Sequence, residues 1–295
     1  MARHVDALTA ATLKNLREQW WDFQFSEFLH DTLRPRPGTR ILDVGCGEGT
    51  AELTLARLRI SQLRLFAIDL DTARVLRAAG EARSHNTRLG LAAADASRLP
   101  FATGSFDATF CVAVLQHVNQ VSQAVTELAR VTRPGGRVLA VEPDNSARYW
   151  YSSEASGNDA FVAASRFFAA AAAARGDATE PAIGPRLSAI FADAGIEPVS
   201  VQLFPVSVTH IGPPEPAVWE ARRAAVARTA SGTTDSAVAS QAVEYRAALD
   251  RYEQDAGRAG AHFVEIQNTM LFATVGQRTD VAVADAPRTA TAAHA

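Results

Sequence analysis

A run of glycines after an apolar segment is the first feature of this sequence with the spacing of a ligand site. The run reads DVGCGEGT at residues 43–50 and follows the apolar stretch that begins at Arg40. Glycines at the mouth of a parallel strand let a ligand approach bare backbone beside the N-terminus of the next helix. Asp69 ends the next apolar run, at the position from which a carboxylate accepts hydrogen bonds from a ribose diol. The two features predict a cofactor that contains ribose.

The third glycine of the run departs from the dinucleotide-binding fingerprint G-x-G-x-x-G. Gly49 comes one residue early, and Thr50 stands where the fingerprint has its last glycine. Because NAD and S-adenosylmethionine (SAM) both carry a ribose diol, the turn and Asp69 alone leave both cofactors open. The shifted glycine disfavours an NAD-type oxidoreductase, which remains the alternative enzyme class.

Strands that alternate with helices must position these residues. Alternation of this kind predicts parallel βαβ units, and nearly continuous apolar strands indicate helices on both faces of the sheet. The expected fold class is α/β: a Rossmann-like, doubly wound, mostly parallel sheet of seven strands with two helical lid insertions. The predicted strands are 40–46, 63–70, 88–95, 106–115, 136–143, 197–207 and 262–276.

The alternation of predicted strands and helices, and the places where it is interrupted, predict the domain organisation. Residues 1–36 are expected to form N-terminal capping helices, and residues 37–276 one domain that carries inserts at 145–180 and 211–260. These inserts are too long for ordinary connections, which makes them candidate substrate-covering elements. Residues 277–295 contain no aromatic residue and little periodicity, so we expect this tail to be disordered.

Composition and charge exclude several function classes. The formal net charge is −3, and Lys14 is the only lysine, so bulk attraction to nucleic acid or an anionic membrane is not indicated. The N-terminus lacks the apolar region of a signal peptide, and no stretch reaches the roughly 18 apolar residues of a membrane span. The two cysteines, Cys46 and Cys111, have neither disulfide nor metal spacing. We expect a cytoplasmic protein without a metal, as a monomer or homodimer.

Five segments in order carry a resemblance to a known family. Asp43 to Gly49 resembles the D-x-G-x-G-x-G turn of the class I SAM-dependent methyltransferases of small molecules (methyltransferase type 11-like). The resemblance covers roughly residues 38–144, and the order of the segments makes it specific. The other segments are AIDLD (67–71), AADASRLPFATGSFD (93–107), VLQHV (114–118) and ELARVTRPGGRVLAVEP (127–143).

The resemblance implies a set of cofactor-binding residues for SAM and its product S-adenosylhomocysteine (SAH). Backbone groups of the glycine turn would face the methionyl part, the second-strand acid would hold the ribose, and a later acid would meet the exocyclic amine of the adenine. An N-terminal tryptophan, Trp20 or Trp21, would help to close the site. The residues implied are Gly45, Cys46, Gly47, Asp69, Leu70, Asp95, Ala96, Trp21 and, through its carbonyl, Cys111.

The acceptor side is predicted at the carboxyl ends of the fourth and fifth strands, where ligands of such sheets bind. His117 is the candidate proton acceptor, and a histidine that only orients the cofactor loop is the alternative. Aromatic residues behind the fifth strand suggest an apolar or ring-bearing acceptor. The candidate substrate residues are Glu142, Tyr149, Trp150 and Tyr151, and the weaker candidates for a base are Glu142, Asp144, His210 and His262.

The sequence therefore predicts methyl transfer from SAM to a small, partly apolar or aromatic acceptor, in secondary metabolism. The exit of the fourth strand reads CVAVLQH and lacks the N/D-P-P-Y/F stretch that is typical of exocyclic-amine nucleic-acid methyltransferases. Two alternatives stay open: an NAD-type oxidoreductase and a SAM-binding protein that does not methylate.

Overall fold

The computed structural model describes residues 23–175 and 182–280. Trp20, Trp21 and the rest of the segment 1–22 lie outside the described residues, as does the tail from 281. The elements of the first half are α1 (Phe23–Leu33), β1 (Arg40–Val44), α2 (Thr50–Ala56), β2 (Arg64–Asp69), α3 (Thr72–Ser84), β3 (Leu89–Ala93), β4 (Phe106–Val112) and α4 (Val121–Val131). Those of the second half are β5 (Thr132–Ser152), α5 (Ala155–Arg175), α6 (Ile183–Asp193), β6 (Ile196–Ile211), α7 (Pro216–Ser231), α8 (Ser236–Ala259) and β7 (Val264–Arg278).

The strands form one seven-stranded sheet in the order β3-β2-β1-β4-β5-β7-β6. The first five strands pair in parallel, and β7 runs antiparallel to both β5 and β6. The predicted fold class is confirmed. The strand order reverses direction between β1 and β4, and the carboxyl ends at such a switch point form the crevice that binds ligands in this architecture.

The sheet is held by apolar layers on both of its faces. On β1, Ile41 packs on one side with α1 and α2, and its neighbours Leu42 and Val44 pack on the other side with α4 and α6. Continuous apolar strands are therefore buried on both faces, as the sequence indicates. This packing fixes the end of β1, and with it the start of the glycine turn.

The fifth strand is much longer than predicted. We expected it to end at residue 143, but β5 continues to Ser152 across a register shift between Asp144 and Tyr149. Beyond this bulge, Tyr151 pairs with Ile266 of β7, and His210 of β6 pairs with Glu265. The predicted first insert, 145–180, therefore begins as a strand, because the antiparallel partner continues to satisfy its backbone.

The helices of the two inserts pack together as one unit, which we call the helical module (α5, α7 and α8). Its core is mostly aromatic and alanine side chains, and α5 and α8 lie along one another. Phe167 of α5 lies beside Tyr245 of α8, and Tyr252 of α8 meets Trp219 of α7 edge-on. The module joins the sheet through the extended ends of β5 and β7.

The expectation of disorder from residue 277 is wrong at its start. Gln277 pairs with Arg137 of β5 and with Glu197 of β6, and Arg278 is buried. A strand that pairs with a neighbour on each side keeps its backbone hydrogen bonds even where its side chains are polar. The polar sequence of these residues therefore gave no sign that the strand continues. In the part of the chain that the structure describes, no helix is both long and apolar enough to span a lipid bilayer.

Candidate functional site

The glycine turn begins directly where β1 ends. Gly45, Gly47 and Gly49 all have positive φ angles, of 83°, 58° and 87°. The amide of Gly45 donates to the Ile68 carbonyl at 2.7 Å, which ties the turn to β2. A Cβ on Gly45 would lie 2.3 Å from Cγ2 of Val114. Only glycine therefore fits where the turn meets the loop after β4.

This close approach gives a stability prediction for Gly45→Ala. We expect the free energy of unfolding to fall by about 2 kcal/mol or more, because the left-handed conformation and the overlap with Val114 each cost about 1–2 kcal/mol. Gly38→Ala is the matched control, since Gly38 has a φ of 84° and nothing near its Cβ position. Urea denaturation of both variants measures the difference, and equal losses would contradict the proposed contact.

Asp69 ends β2 beside the turn and is buried. Its Oδ2 accepts a hydrogen bond from the Gly47 amide at 2.9 Å, and its Oδ1 accepts one from the Asp71 amide at 3.0 Å. A carboxylate oxygen has a second lone pair, so both oxygens keep acceptor capacity. Asp69 is thus fixed at the edge of a cavity with room to accept further hydrogen bonds.

A cavity of about 660 Å³ lies over the carboxyl ends of β1, β2 and β4. It brings together six of the predicted residues: Gly45, Asp69, Leu70, Asp95, Ala96 and His117. Gly47 does not line the cavity, but its amide donates a hydrogen bond to Asp69, which does. Cys46 and Cys111 are buried and do not line the cavity. The predicted residue Trp21 lies outside the described residues.

Asp95 presents a charged carboxylate at this cavity. Its Oδ1 accepts hydrogen bonds from the Ser97 amide at 2.8 Å and from the Ser97 hydroxyl at 2.7 Å. These bonds lower the pKa of Asp95 below its ordinary value, because they favour the ionised form. At neutral pH Asp95 is therefore an acceptor for an amine.

The predicted substrate residue Glu142 is completely buried beneath the loop after β4. Its Oε1 accepts hydrogen bonds from the Val114 and Leu115 amides, both at 2.7 Å. Its Oε2 accepts one from Nε2 of Gln116 at 3.2 Å. These bonds hold the short 3₁₀ helix that ends at His117, whose exposed side chain lies at the cavity.

The three predicted aromatic substrate residues do not share one face of β5. Trp150 packs into the helical module, where it stacks on Phe161 at 5.1 Å with an angle of 8° between the rings. Tyr149 and Tyr151 alternate with it along the strand and are 55% and 45% exposed. The tyrosines and the tryptophan therefore point to opposite sides of the strand.

Cys46 lies in the turn among carboxyl groups. Its burial, together with the charges of Asp43, Glu52 and Asp69, raises the pKa of its thiol far above the ordinary value. The thiol therefore stays protonated, which is the wrong form for a nucleophile or a metal ligand. No group of three or more His, Cys, Asp or Glu side chains among the described residues could hold a metal ion.

The sequence reasoning missed several residues of the site, among them Arg74, Val114 and Glu52. Arg74 of α3 lines the cavity with Nη1 4.0 Å from Oδ2 of Asp69, and Val114 closes the turn. Arg74 follows Asp69 by five residues. It was missed because the polar residues of its helix suggest a face exposed to solvent. Glu52, which is buried in the first turn of α2, was also missed because an acidic residue there is usually exposed.

Comparisons with known proteins find similarity to methyltransferases in the part of the chain that carries the site. Residues 42–140 match the family model described as "Methyltransferase domain". The demethylmenaquinone methyltransferase of Beutenbergia cavernae is 38% identical over 112 residues, which are 38% of this chain and 44% of that protein. An O-methyltransferase of Pyrenophora dematioidea is 36% identical over 106 residues, which are 36% of this chain and 40% of that protein.

Among solved structures, the [4+2]-cyclase SpnF shares the fold. The likeness has a TM-score of 0.51 at 20% identity and covers 87% of this chain and 80% of that one. At this identity the likeness concerns the fold alone. The chain spans less than half the length of the two curated relatives. The segment that matches the family model, residues 42–140, holds the glycine turn, Asp69 and Asp95.

Proposed function

We propose that this protein transfers a methyl group from SAM to a small, partly apolar or aromatic acceptor, because residues 42–140 match the family model described as "Methyltransferase domain". The observation that carries the proposal is the cavity at the switch point of the sheet. There Gly45 of the glycine turn, Asp69 and Asp95 line one space of about 660 Å³.

The residues present fit SAM. Gly45 of the turn lines the cavity and carries no side chain, so a ligand can approach its backbone closely. Asp69 keeps acceptor capacity for the two ribose hydroxyls, and Leu70 lies beside it for contact with the adenine. Asp95 is ionised and suits the exocyclic amine, with Ala96 next to it.

When bound, SAM supplies a methyl group on a positively charged sulfur, which an acceptor nucleophile can displace. The chain has to bind and orient both molecules and to exclude water. Glu142 holds the loop of Val114 and His117 in place, so we assign it a positioning role instead of contact with the acceptor. An imidazole nitrogen of His117 is the group at the cavity that can take up a proton from the acceptor.

The acceptor class rests on the lining of the site and on the relatives. Ala113, Val114 and Val118 give the cavity an apolar side near the loop after β4. The exposed rings of Tyr149 and Tyr151 offer contact surface for an aromatic molecule beyond β5. The relatives include an O-methyltransferase, which agrees with methyl transfer, and we propose a small-molecule acceptor in natural-product biosynthesis. Two free cysteines agree with a reducing, cytoplasmic setting.

A screen of small aromatic and apolar compounds with methyl-labelled SAM tests this proposal. We expect mass spectrometry to show one labelled methyl on an acceptor and an equal amount of SAH. His117→Ala should then change the pH dependence of the rate if its imidazole takes the proton. Binding of SAM with no transfer to any compound would favour a SAM-binding protein that does not methylate.

A further inference from the structure

A second cavity adjoins the one that we propose for the cofactor. It has a volume of about 520 Å³ and lies between the start of α4 and the N-terminal half of α6, so we call it the α4/α6 groove. Asn119 and Gln120, which come just before α4, line both cavities. The two spaces therefore meet at the loop that carries His117.

The lining of the α4/α6 groove is polar on one side and largely apolar on the other. The α6 side presents Ile183 and Ile190, together with Arg186. Amide, hydroxyl and guanidinium groups all bind oxygen atoms, whereas the isoleucines favour a carbon frame. Four polar side chains on the α4 side make no hydrogen bond with another residue in the described part of the chain, so they can turn to a ligand. They belong to Asn119, Gln120, Ser122 and Gln123.

The exposed tyrosines of β5 lie on the same side of the sheet as this groove. Phe272 of β7 faces α6, because a Cβ on Gly184 would lie 2.8 Å from its Cδ2. Side chains alternate between the two faces of a sheet, and the β7 partners of Tyr149 and Tyr151 are an even number of residues from Phe272. The two tyrosine rings therefore extend the α6 side of the sheet beyond the start of that helix.

The helical module lies on the opposite side of the sheet. Glu265 of β7 is an odd number of residues from Phe272, and it accepts a hydrogen bond from Arg222 of α7. Trp150, which stands between the two tyrosines, also packs into the module. The module therefore supports the tyrosine strand from behind, and it does not cover the α4/α6 groove.

We propose that the acceptor binds in the α4/α6 groove and that it is a hydroxylated ring compound. The inference rests on the proposed function. The cofactor cavity, at about 660 Å³, has the usual size of a pocket for one ligand, so the acceptor needs the adjoining space. Its ring would lie against Ile183 and Ile190, with oxygen atoms towards the amides of α4. A hydroxyl at its inner end would pass Asn119 and reach His117 in the cofactor cavity.

Titration of the SAH-loaded protein with alizarin tests this placement. Alizarin is a coloured compound of three fused rings with two adjacent hydroxyl groups, and its absorbance reports binding. Ser122→Trp is the test variant, because Ser122 is exposed and lines the groove. Ser236→Trp is the matched control, since Ser236 is also an exposed serine in the first turn of a helix, but in α8 of the helical module.

We expect saturable binding of alizarin to the unaltered protein. Ser122→Trp should fill the groove and weaken alizarin binding by about tenfold or more, while the affinity for SAH stays within about twofold. Gln123→Leu should weaken alizarin binding by about fivefold, the usual effect of one lost hydrogen bond. Ser236→Trp should behave like the unaltered protein.

The possible failures separate the groove from the proposed function. Equal alizarin affinities in Ser122→Trp and Ser236→Trp would overturn the placement in the groove, and so would a larger loss in Ser236→Trp. Absence of saturable alizarin binding to the SAH-loaded protein would overturn the proposed class of acceptor. Failure of SAH itself to bind the unaltered protein would instead overturn the proposed function.

Hydrogen exchange of the unaltered protein gives a second measurement that needs no variant. Alizarin added to the SAH-loaded protein should slow the exchange of amides in residues 119–123 and 183–190, which line the groove. Protection confined to α5, α7 and α8 would contradict the inference, because it would place the acceptor on the other side of the sheet.

Discussion

Replacement of Asp69 by alanine is expected to weaken SAM binding about a hundredfold. Charge-assisted hydrogen bonds contribute about 1.5–3 kcal/mol each, and two ribose hydroxyls would lose their acceptor. A loss of about 3 kcal/mol exceeds two decades of affinity. The variant also removes the acceptor of the Gly47 amide at 2.9 Å, which loosens the turn itself. Titration calorimetry with SAM measures the effect.

Asp71→Asn is the matched control for this experiment. Asp71 is two residues away and caps α3 by accepting from the Ala73 amide at 2.8 Å, a role that the asparagine oxygen keeps. The control should bind SAM within a few-fold of the unaltered protein. Circular dichroism establishes that Asp69→Ala is folded. Unchanged SAM affinity in that folded variant would show that Asp69 does not hold the ribose.

Replacement of Arg222 by methionine is expected to lower the free energy of unfolding by about 3–5 kcal/mol, because it leaves a buried charge without its partner. Arg222 and Glu265 are both completely buried, and Nη2 of Arg222 donates to Oε1 of Glu265 at 2.6 Å. Glu265 also accepts from the Tyr252 hydroxyl at 2.8 Å and from Nε2 of Gln267 at 2.9 Å. Thermal and urea denaturation measure the loss.

Two further variants separate the buried charge from ordinary packing. Arg223→Met changes the next residue, whose guanidinium is partly exposed and pairs with Asp250 at 2.9 Å. It should cost about 1 kcal/mol or less. Adding Glu265→Gln to Arg222→Met should restore most of the stability, because the uncompensated charge is then gone. Equal losses in Arg222→Met and Arg223→Met would contradict this interpretation of the pair.

The ion pair between Arg222 and Glu265 lies away from the cavity proposed for the cofactor. It joins α7 of the helical module to the far end of β7, whereas the cavity lies at the ends of β1, β2 and β4. Under conditions where Arg222→Met is still folded, SAM affinity should therefore stay near that of the unaltered protein. Any fall in turnover should come from weaker binding of the acceptor.

The parallel half of the sheet and the glycine turn could be predicted from the sequence because their signals are local. Apolar strands such as that of Ile41 are buried on both faces, and the positive φ angles of the turn require glycine. The acid at the end of β2, Asp69, lies where the spacing places it. These features depend on residues close together in the chain.

The rest depends on partners that are distant in the chain. The extension of β5 to Ser152 exists because β7 runs beside it, and a segment with polar residues and a bulge reads as a loop by itself. In the sequence, Arg222 looks like one of many charged residues on a helix. Only the structure shows that it contacts Glu265, which comes 43 residues later. Glu142 likewise looks like a ligand-binding acid at a strand end until its bonds to the loop are known.

The most direct test of cofactor identity is calorimetric titration of the unaltered protein with SAM, SAH and NAD under the same conditions. The cavity geometry predicts saturable binding of one SAM or one SAH molecule per chain, in the same site, so that each displaces the other. We expect no saturable binding of NAD, because Gly49 and Thr50 depart from the dinucleotide-binding fingerprint. Saturable NAD binding without SAM binding would contradict the assignment of the glycine turn and Asp69 to SAM.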